Sequence, residues 1–334
     1  MKRRTLLAAA LAAPALAAPA FYARAEAAAI RCSHGLGVLY LPLIVMREAK
    51  LLEKHMAAAG VPAPVTWVVL DGGGQIDDAM LAGALDVAGS GIPGFLTLWA
   101  KARGGSSAVV GVSGLSTAAM VLNTNRPDIH TLQDFKPADK IAVPNVKSSL
   151  QAVALQMIAA KIFGDSEWAR LDTLTVGLNH PSAVAALLSG NRDVAAHFAS
   201  PPFTLAEAKS PAIHAVLRST DFLGDLTLDM VYASKRFADA NPAHITAFLA
   251  AQTEANHLIA TDPAQAVALF IQNSGSRIDP AELQTILHDP ATKFDTAPHG
   301  FMQFATFMQR AGTIRTIPKD WHDAFVPQLG TEGS

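Results

Sequence analysis

The sequence predicts an α/β fold with two lobes of similar topology. Strands alternate with helices from residue 30 to residue 235, which is typical of parallel sheets built from βαβ units. The chain has 334 residues, which is long enough for two lobes. A phrase of the form A-x-L-x-G-x-x-D-V-A occurs twice, at 79–88 and at 186–195, so the two halves share a local pattern.

Residues 1–25 are predicted to be an export signal. A basic start is followed by an apolar core at 6–20 and by a small-x-small cleavage pattern at 23–25. The core contains two prolines and is shorter than the roughly 20 apolar residues that cross a bilayer. Arg3 and Arg4 partly match a twin-arginine signal, and an ordinary secretory signal stays open. No later stretch is apolar enough for a membrane span.

Composition excludes some classes of function. The net charge of −2 leaves no electrostatic footprint for a nucleic-acid partner. Charged residues make up 16% of an Ala-rich chain, which favours a compact α/β body over disorder. Cys32 is the only cysteine, so the mature chain is predicted to have no internal disulfide. We expect Cys32 to be a buried small hydrophobe near the first strand.

The first unit is predicted to run from strand to loop to helix. Residues 29–39 hold the strand and the loop, and 40–54 place leucine and methionine at helical spacing. A β-rich second strand follows at 65–70. The glycines at 72–74 either bring the backbone close to another group or form a plain turn, and a short helix is predicted at 75–82. Their spacing matches neither a P-loop nor a dinucleotide fingerprint.

The next unit repeats this order. A strand at 85–88 leads through a Gly/Ser/Pro loop into a helix that ends near 103. Two further strands are predicted at 108–112 and 118–123. Residues 125–128 then break the chain.

The stretch 141–163 is the clearest junction between a strand and a helix. A short apolar strand at 141–143 ends at Pro144, and Ser148 and Ser149 are suited to cap the helix that follows. The first turn of such a helix points its unpaired N–H groups at the mouth of the sheet. It is therefore a site for an anion with two hydroxyls beside it, or else an ordinary capped helix packed on a sheet.

The remaining elements continue the alternation. They are predicted strands at 171–176, 194–198, 213–217 and 229–233, and a predicted helix at 182–188. From 236 to 310 the pattern becomes helical, with prolines at 242, 263, 280 and 290 as start or stop signals.

Ligands on parallel sheets bind outside the carboxyl ends of the strands. The loops that follow strands lie at 33–37, 71–74, 89–93, 144–149, 177–181 and 198–202. They are candidates for one shared cleft. The candidate ligand-binding residues are Ser33, His34, Gly35, Gly73, Gly74, Ser90, Gly91, Ser148, Ser149, Asn179, His180, Ser200 and Asp229.

The repeated phrase also predicts local structure. In each copy a helix ends at a glycine, Gly83 or Gly190, that suits a left-handed C-cap. Asp86 and Asp193 each lie inside this turn signature and not in an acid pair, so we expect them to be structural.

These features resemble the periplasmic substrate-binding proteins of the nitrate, taurine and sulfonate ABC importers, a group similar to the thiamine-pyrimidine precursor binding proteins. The export signal, the first strand–loop–helix, the repeated phrase, and Asp134-Phe135 before the Lys-Ile-Ala-Val-Pro at 140–144 carry the resemblance. It covers residues 30 to 325. The family commonly has Gly-Ser where this chain has Lys147, Ser148 and Ser149, and the lysine could pair with an anion or lie in solvent.

The resemblance implies a type II periplasmic-binding-protein fold, with two lobes that close over a ligand. Lobe one would be 30–121 with 230–330, and lobe two 122–229. Crossing strands are expected at 118–123 and 228–233.

The implied function is capture of a small polar, anionic solute, such as a sulfonate, taurine or nitrate, in the periplasm. The expected partner is an ABC permease in the inner membrane. We expect a monomer with no cofactor, no metal and no catalytic residues. Histidines lack HExxH spacing, and the serines have no evident base.

Three alternatives stay open. The chain could bind a thiamine pyrimidine precursor or another aromatic solute. It could be an enzyme similar to the pyrimidine synthase of thiamine biosynthesis, although that enzyme has a cysteine-rich stretch and a lysine-bound cofactor. A sensory or structural interaction protein would need a tether or a fused domain, which the sequence after Gln328 does not suggest.

Overall fold

The computed structural model describes residues 29–70, 73–190, 192–274 and 278–330. The predicted export signal at 1–25 lies outside the described residues. Within the described ranges, no helix combines the length and the apolar character that crossing a membrane requires.

Ten strands in the described residues form two sheets. The strands are β1 Ile30–His34, β2 Val65–Val69, β3 Val87–Gly91, β4 Val109–Thr117, β5 Val121–Thr124, β6 Ile141–Val143, β7 Thr175–Gly177, β8 Ala196–Ala199, β9 His214–Arg218 and β10 Thr227–Ser234. Sheet one has the order β2-β1-β3-β10-β4, and sheet two has the order β7-β6-β8-β5-β9. In each sheet the first three strands are parallel and the fourth is antiparallel to both neighbours. The shared topology confirms the prediction of two similar α/β halves.

The chain crosses between the sheets twice. Residues 118–120 lead from β4, the last strand of sheet one, to β5, the fourth strand of sheet two. Residues 219–226 lead from β9, the last strand of sheet two, to β10, the fourth strand of sheet one. Each sheet thus receives its antiparallel strand from the other half. The crossing expected at 228–233 is displaced, because β10 is hydrogen-bonded on both sides within sheet one and the crossing comes before it.

Helices cover the sheets and build the C-terminal third. They are α1 Leu41–Glu48, α2 Leu51–Ala58, α3 Gly73–Leu81, α4 Ile92–Ala102, α5 Leu150–Phe163, α6 His180–Leu188, α7 Phe203–Ala208, α8 Thr220–Leu223, α9 Lys235–Ala240, α10 Pro242–Thr261, α11 Pro263–Ser274, α12 Pro280–His288 and α13 Phe301–Arg310. Three of the predicted proline signals are confirmed, since α10, α11 and α12 each begin at a proline. Proline suits this position because its fixed φ matches the helix and its missing N–H costs no bond there.

Two element predictions need correction. The single helix expected over 40–54 is two helices, because Lys50 adopts a left-handed φ of 52° between α1 and α2. No glycine or proline lies at that break, and the helical spacing of apolar residues continues across it. The sequence pattern therefore predicted one continuous helix. The strand expected over 171–176 is mostly a turn, which the Thr175 hydroxyl closes by donating to the Asp172 carbonyl over 2.8 Å. Only Thr175–Gly177 pairs as β7.

The repeated phrase has the predicted structure. Gly83 and Gly190 follow α3 and α6 with φ of 67° and 69°. Asp86 is structural as expected, because its carboxylate accepts from Arg31 Nη2 over 2.7 Å, from Nε over 2.9 Å and from the Arg31 backbone N–H over 2.9 Å. Cys32 is buried in β1, as predicted.

The C-terminal residues pack on sheet one. The Phe325 ring lies 5.1 Å from the Phe301 ring and 6.2 Å from the Phe95 ring, between ring centroids. The backbone N–H of Val326 donates to the Gly111 carbonyl of β4 over 2.8 Å. This packing closes the chain back onto the half of the molecule where it begins.

Candidate functional site

The ends of β3 and β10 and the start of α5 meet at one place. Asp229 pairs with Gly91 across sheet one. A Cβ placed on Gly91 would lie 3.5 Å from Leu150 Cβ and 3.8 Å from Asp229 Oδ1. Leu150 begins the helix that follows β6 of sheet two. The structure therefore brings predicted residues from both sheets into one neighbourhood. We call it the inter-sheet site and define it by Ser90, Gly91, Ser149, Leu150 and Asp229.

Two helix N-termini open onto the inter-sheet site. The helix α4 begins directly after Gly91, which offers no side-chain cap. The helix α5 begins after Ser149, whose Oγ accepts from the Ala152 backbone N–H over 3.2 Å and so confirms the predicted N-cap. The first turns of both helices carry partial positive charge and unpaired N–H groups. Because the two helices belong to different sheets, an anion held here would contact both halves of the molecule.

Asp229 is the charged side chain at the centre of this site. It is 5% exposed, and its Oδ1 accepts from the Tyr40 hydroxyl over 2.9 Å. Burial raises the pKa of the Asp229 carboxyl to about 6. The hydrogen bond from the Tyr40 hydroxyl and the nearby Ser116 hydroxyl act in the opposite direction and lower this pKa. Ser116 is its cross-strand neighbour on β4. A buried carboxylate without a cationic partner is costly to keep charged.

A second carboxylate lies on the sheet-one side of the site. Asp77 on α3 accepts from the Tyr232 hydroxyl over 3.1 Å, and burial raises the pKa of its carboxyl to about 6. A Cβ placed on Gly94 would lie 3.5 Å from Ser90 Oγ and 3.9 Å from Asp77 Oδ2, so both groups face the first turn of α4. Asp77 and Tyr40 were not predicted as site residues, because each lies in a stretch with the pattern of an ordinary amphipathic helix.

The predicted residues at the end of β1 are largely engaged within the protein. His34 Nδ1 donates to the Gly35 carbonyl over 2.8 Å, and its Nε2 accepts from Arg47 Nη1 over 3.0 Å. Arginine can only donate, so His34 is neutral and both ring nitrogens are occupied. Burial lowers the pKa of His34, in agreement with this state. Gly35 lies against the Tyr40 ring, and a Cβ placed on Gly35 would be 2.6 Å from that ring. Ser33 Oγ is buried without a hydrogen-bond partner.

Three other predicted residues stay apart from these contacts. Gly73 begins α3, and Gly74 is exposed, with no atom within 4 Å of a Cβ placed on it. Ser148 is exposed, and its Oγ donates to the Val146 carbonyl over 3.4 Å. Lys147 beside it is exposed with a φ of 65°. The loop 144–149 therefore contributes Ser149 to the site, whereas Lys147 and Ser148 are exposed on the same loop.

Asn179 and His180 lie at the start of α6, which follows β7 of sheet two. Asn179 caps α6, because its Oδ1 accepts from the Ser182 N–H over 2.9 Å. His180 stacks on Phe203, with 4.6 Å between ring centroids. Burial, followed by the proximity of His197, lowers the pKa of His180 to about 3, so its ring is neutral.

A chain of hydrogen bonds runs from the start of α5 through His180 into the core of sheet two. The Gln151 amide donates to His180 Nε2 over 3.2 Å, and His180 Nδ1 donates to His197 Nε2 over 2.8 Å. His197 Nδ1 then donates to Glu207 over 2.5 Å, and Asn123 donates to the other oxygen of Glu207 over 2.8 Å. The chain fixes the first turn of α5 against sheet two.

Ser200 is buried directly after β8. A cavity of about 240 Å³ lies between β5, β9, α7 and α12. Among the described residues of the predicted strand-end loops, Pro201 alone lines it. We place the candidate site at the inter-sheet site and not in this cavity, because the helix N-termini and Asp229 converge there. Among the described residues, no three His, Cys, Asp or Glu side chains are grouped closely enough to hold a metal ion.

Comparison with solved structures identifies the fold. Neither a protein-family model nor a curated protein sequence matches the chain. The chain is similar to the periplasmic aliphatic sulphonate binding protein SsuA from Escherichia coli, with a TM-score of 0.67, 22% identity, and coverage of 89% of this chain and 92% of that chain. It is similar to the alkanesulfonate-binding protein SsuA from Xanthomonas axonopodis pv. citri bound to MOPS, with a TM-score of 0.67, 22% identity, and coverage of 91% and 98%.

It is also similar to the periplasmic nitrate-binding protein NrtA from Synechocystis PCC 6803, with a TM-score of 0.68, 14% identity, and coverage of 92% and 86%. The fold is that of the periplasmic binding proteins, as the sequence predicted. Two α/β halves of one topology, joined by two crossings, define this class.

Proposed function

We propose that this chain is the solute-binding component of an ABC importer. It binds a small polar anion, of sulfonate, taurine or nitrate type, and delivers it to a permease in the inner membrane. The observation that carries the proposal is the convergence of the α4 and α5 N-termini, one from each sheet, on the inter-sheet site. Structures similar to this one include proteins described as sulfonate-binding and nitrate-binding.

The proposed lobes are residues 30–117 with 227–330, around sheet one, and residues 121–218, around sheet two. The boundary expected at 229/230 is shifted, because β10 is hydrogen-bonded on both sides within sheet one. An anion between the two lobes accepts hydrogen bonds from the N–H groups of both helices. It is therefore bound more tightly when the lobes are close together. A ligand of this kind shifts the population toward the closed form. The two crossing segments, 118–120 and 219–226, would act as the hinge. The role is binding without a chemical step, since Ser149 is used as a cap and His34 has no free ring nitrogen.

The proposed location is the periplasm, after removal of residues 1–25, and the proposed state is a monomer. The support for export is the tripartite pattern of that segment. The support for the location is the similarity to periplasmic binding proteins.

A matched pair of serine variants tests the proposal. Ser149 and Ser234 are both N-caps. Each Oγ accepts a hydrogen bond over 3.2 Å from a backbone N–H group, that of Ala152 or of Phe237 respectively. Replacing either with alanine should cost about 1 kcal/mol of stability. Ser149→Ala should also weaken anion binding by about fivefold or more, because the capped helix faces the solute, whereas Ser234→Ala should leave the affinity within about twofold.

The measurement is isothermal titration of the purified protein with ethanesulfonate, 2-aminoethanesulfonate and nitrate. Small-angle scattering should show a smaller radius of gyration with the anion that binds. Absence of binding heat for all three anions, or equal losses in the two serine variants, would contradict the proposal.

A further inference from the structure

Beyond the proposed function, we infer that the chain has a second small-molecule site, in the cavity of about 240 Å³ between β5, β9, α7 and α12. We call it the flank cavity. It binds an uncharged compound with the size of one substituted aromatic ring, and the bound compound holds α12 against the half of the molecule that carries sheet two. None of the five described residues that define the inter-sheet site lines this cavity, so the two sites are separate.

The walls of the flank cavity come from both halves of the molecule. Val121 of β5 and Leu205 of α7 line it on the side of sheet two, and Ile286 of α12 lines it on the other side. The helix α12 packs on α11, which packs on α1 and α10, and these helices belong to the half that carries sheet one. A compound in the cavity therefore contacts both halves at a second place.

The flank cavity also adjoins the two crossing segments. Ala119 of the first crossing lines it directly, and Thr292 lines it beyond α12. The next residue, Lys293, exchanges backbone hydrogen bonds of 2.8 and 3.0 Å with Thr117, the last residue of β4. The Lys293 ammonium group forms an ion pair with Asp225 of the second crossing. Occupation of the cavity therefore restrains the segments that connect the two halves.

The size and the apolar walls of the flank cavity fit one aromatic ring. An apolar cavity of about 150 Å³ holds benzene, so about 240 Å³ leaves room for a ring with a short substituent. Val121 and Ile286 are buried hydrophobic residues, and Leu205 packs against the main core. A ring against these side chains removes apolar surface from water, which favours binding. The hydroxyl groups of Thr204 and Thr292 also line the cavity and suit one polar substituent.

The charges at the flank cavity favour an uncharged compound. Among the described residues, Arg218 and Asp289 are the lining side chains with a permanent charge. Arg218 Nη2 donates to Asp289 Oδ2 over 3.3 Å, so the cation and the anion are already paired across the two halves. A charged compound would have to compete with this pair and lose its own hydration, whereas an uncharged compound leaves the pair intact.

Isothermal titration of the intact protein at pH 7.5 tests the inference with benzyl alcohol as the probe. Benzoate and benzylammonium are the comparison compounds, since they have a similar shape and carry opposite charges. Benzyl alcohol should bind at one site per chain with a dissociation constant of about 1 mM or lower. Both charged compounds should bind at least about fivefold more weakly. Hydrogen exchange of the amides at 118–120 should slow when benzyl alcohol is bound, because the compound restrains the first crossing.

Two matched variants locate the bound compound. Ala208 and Ala240 are each the exposed last residue of a six-residue helix, α7 and α9 respectively, and of the two only Ala208 lines the flank cavity. Ala208→Phe should fill the cavity and weaken the binding of benzyl alcohol by at least about tenfold. Ala240→Phe should leave that affinity within about twofold of the native value.

Three results would overturn the inference. The first is absence of benzyl alcohol binding to the native protein, or tighter binding of either charged compound, and this result needs no variant. The second is equal affinity of the two phenylalanine variants for benzyl alcohol, because the compound would then be bound elsewhere. The third is unchanged exchange at 118–120 in the presence of bound benzyl alcohol, which would remove the link to the crossing. No anion takes part in these measurements, so a failure of the proposed function leaves them unaffected.

Discussion

The Tyr40 hydroxyl donates to Asp229 Oδ1 over 2.9 Å, across 189 positions of sequence. Tyr40 closes the turn between β1 and α1, and Asp229 lies in β10, the fourth strand of sheet one, which is antiparallel to both of its neighbours. The ring of Tyr40 also covers Gly35, one of the predicted ligand-binding residues. This hydrogen bond therefore links the loop after β1 to the one strand that sheet one receives after the second crossing.

Tyr40→Phe removes the hydroxyl donor to Asp229 and keeps the ring over Gly35. Hydrogen bonds to charged groups contribute about 1.5–3 kcal/mol, so the variant should lose stability of that order at pH 7.5. The loss should shrink at pH 4.5, where Asp229, with its pKa of about 6, is mostly protonated. Urea unfolding at the two pH values measures it. An equal loss of stability at pH 7.5 and at pH 4.5 would show that the variant acts through packing and not through the hydrogen bond to Asp229.

Asp229→Asn should make the solute-free protein more stable at neutral pH. The folded-state pKa of about 6 lies above the ordinary value of 3.8, so the folded protein holds this proton more tightly than the unfolded chain. The resulting stability is present at pH below about 4 and is lost as pH rises through about 6. Asparagine carries no charge and still accepts from Tyr40.

The gain should be about 1–3 kcal/mol at pH 7.5 and close to zero at pH 4. Urea unfolding of the native protein and the variant at both pH values checks the prediction. A variant that is less stable than the native protein at pH 7.5 would contradict it. A functional carboxylate that lowers stability in the absence of solute is an expected trade-off at a binding site.

Glu207→Ala should be strongly destabilising. Glu207 is fully buried and accepts from both His197 and Asn123, so its loss leaves two buried donors without a partner. Breaking such a pair typically costs about 3–5 kcal/mol. The matched control is Glu282→Ala, which removes an exposed ion pair with Lys209 and should cost at most about 1 kcal/mol. Denaturant unfolding compares the two, and similar losses would contradict the assigned role of Glu207.

Local rules predicted the parts of the site that are contiguous in sequence. The strand, the Ser149 cap and the helix α5 are adjacent, so apolar spacing and capping chemistry determine them. The repeated phrase likewise predicted two left-handed glycines and the structural role of Asp86. The alternation of strands and helices predicted the α/β class.

Contacts between distant residues could not be predicted this way. The pairing of Tyr40 with Asp229, and of Asp77 with Tyr232, depends on strand order in the folded sheet. The chain from His180 to Glu207 depends on which helix packs over β8. His34 shows that a position in a strand-end loop is not enough to predict ligand contact. Both of its ring nitrogens form hydrogen bonds within the protein, to Gly35 and Arg47.

Gly114→Ala should detach the segment 293–297, which is hydrogen-bonded to β4 and ties the C-terminal third of the chain to that strand. A Cβ on Gly114 would lie 2.3 Å from the Ala297 carbonyl oxygen, which is backbone and cannot turn aside. Gly114 also donates its N–H to the Thr296 carbonyl over 2.7 Å, and Thr117, at the start of the first crossing, donates to the Lys293 carbonyl over 2.8 Å. Overpacking of this kind costs about 1–3 kcal/mol.

The matched control is Gly177→Ala in β7, where the nearest atom to a new Cβ is 3.9 Å away. It should be within about 0.5 kcal/mol of the native protein. Hydrogen exchange should show faster exchange of the Gly114 and Thr117 amides in Gly114→Ala, because their acceptors move away with the segment. Because residues 118–120 follow directly, solute affinity should fall as well, since the hinge begins at the strand end that the segment holds. Unchanged stability and exchange in Gly114→Ala would show that the segment can shift without loss, and that it does not brace the crossing.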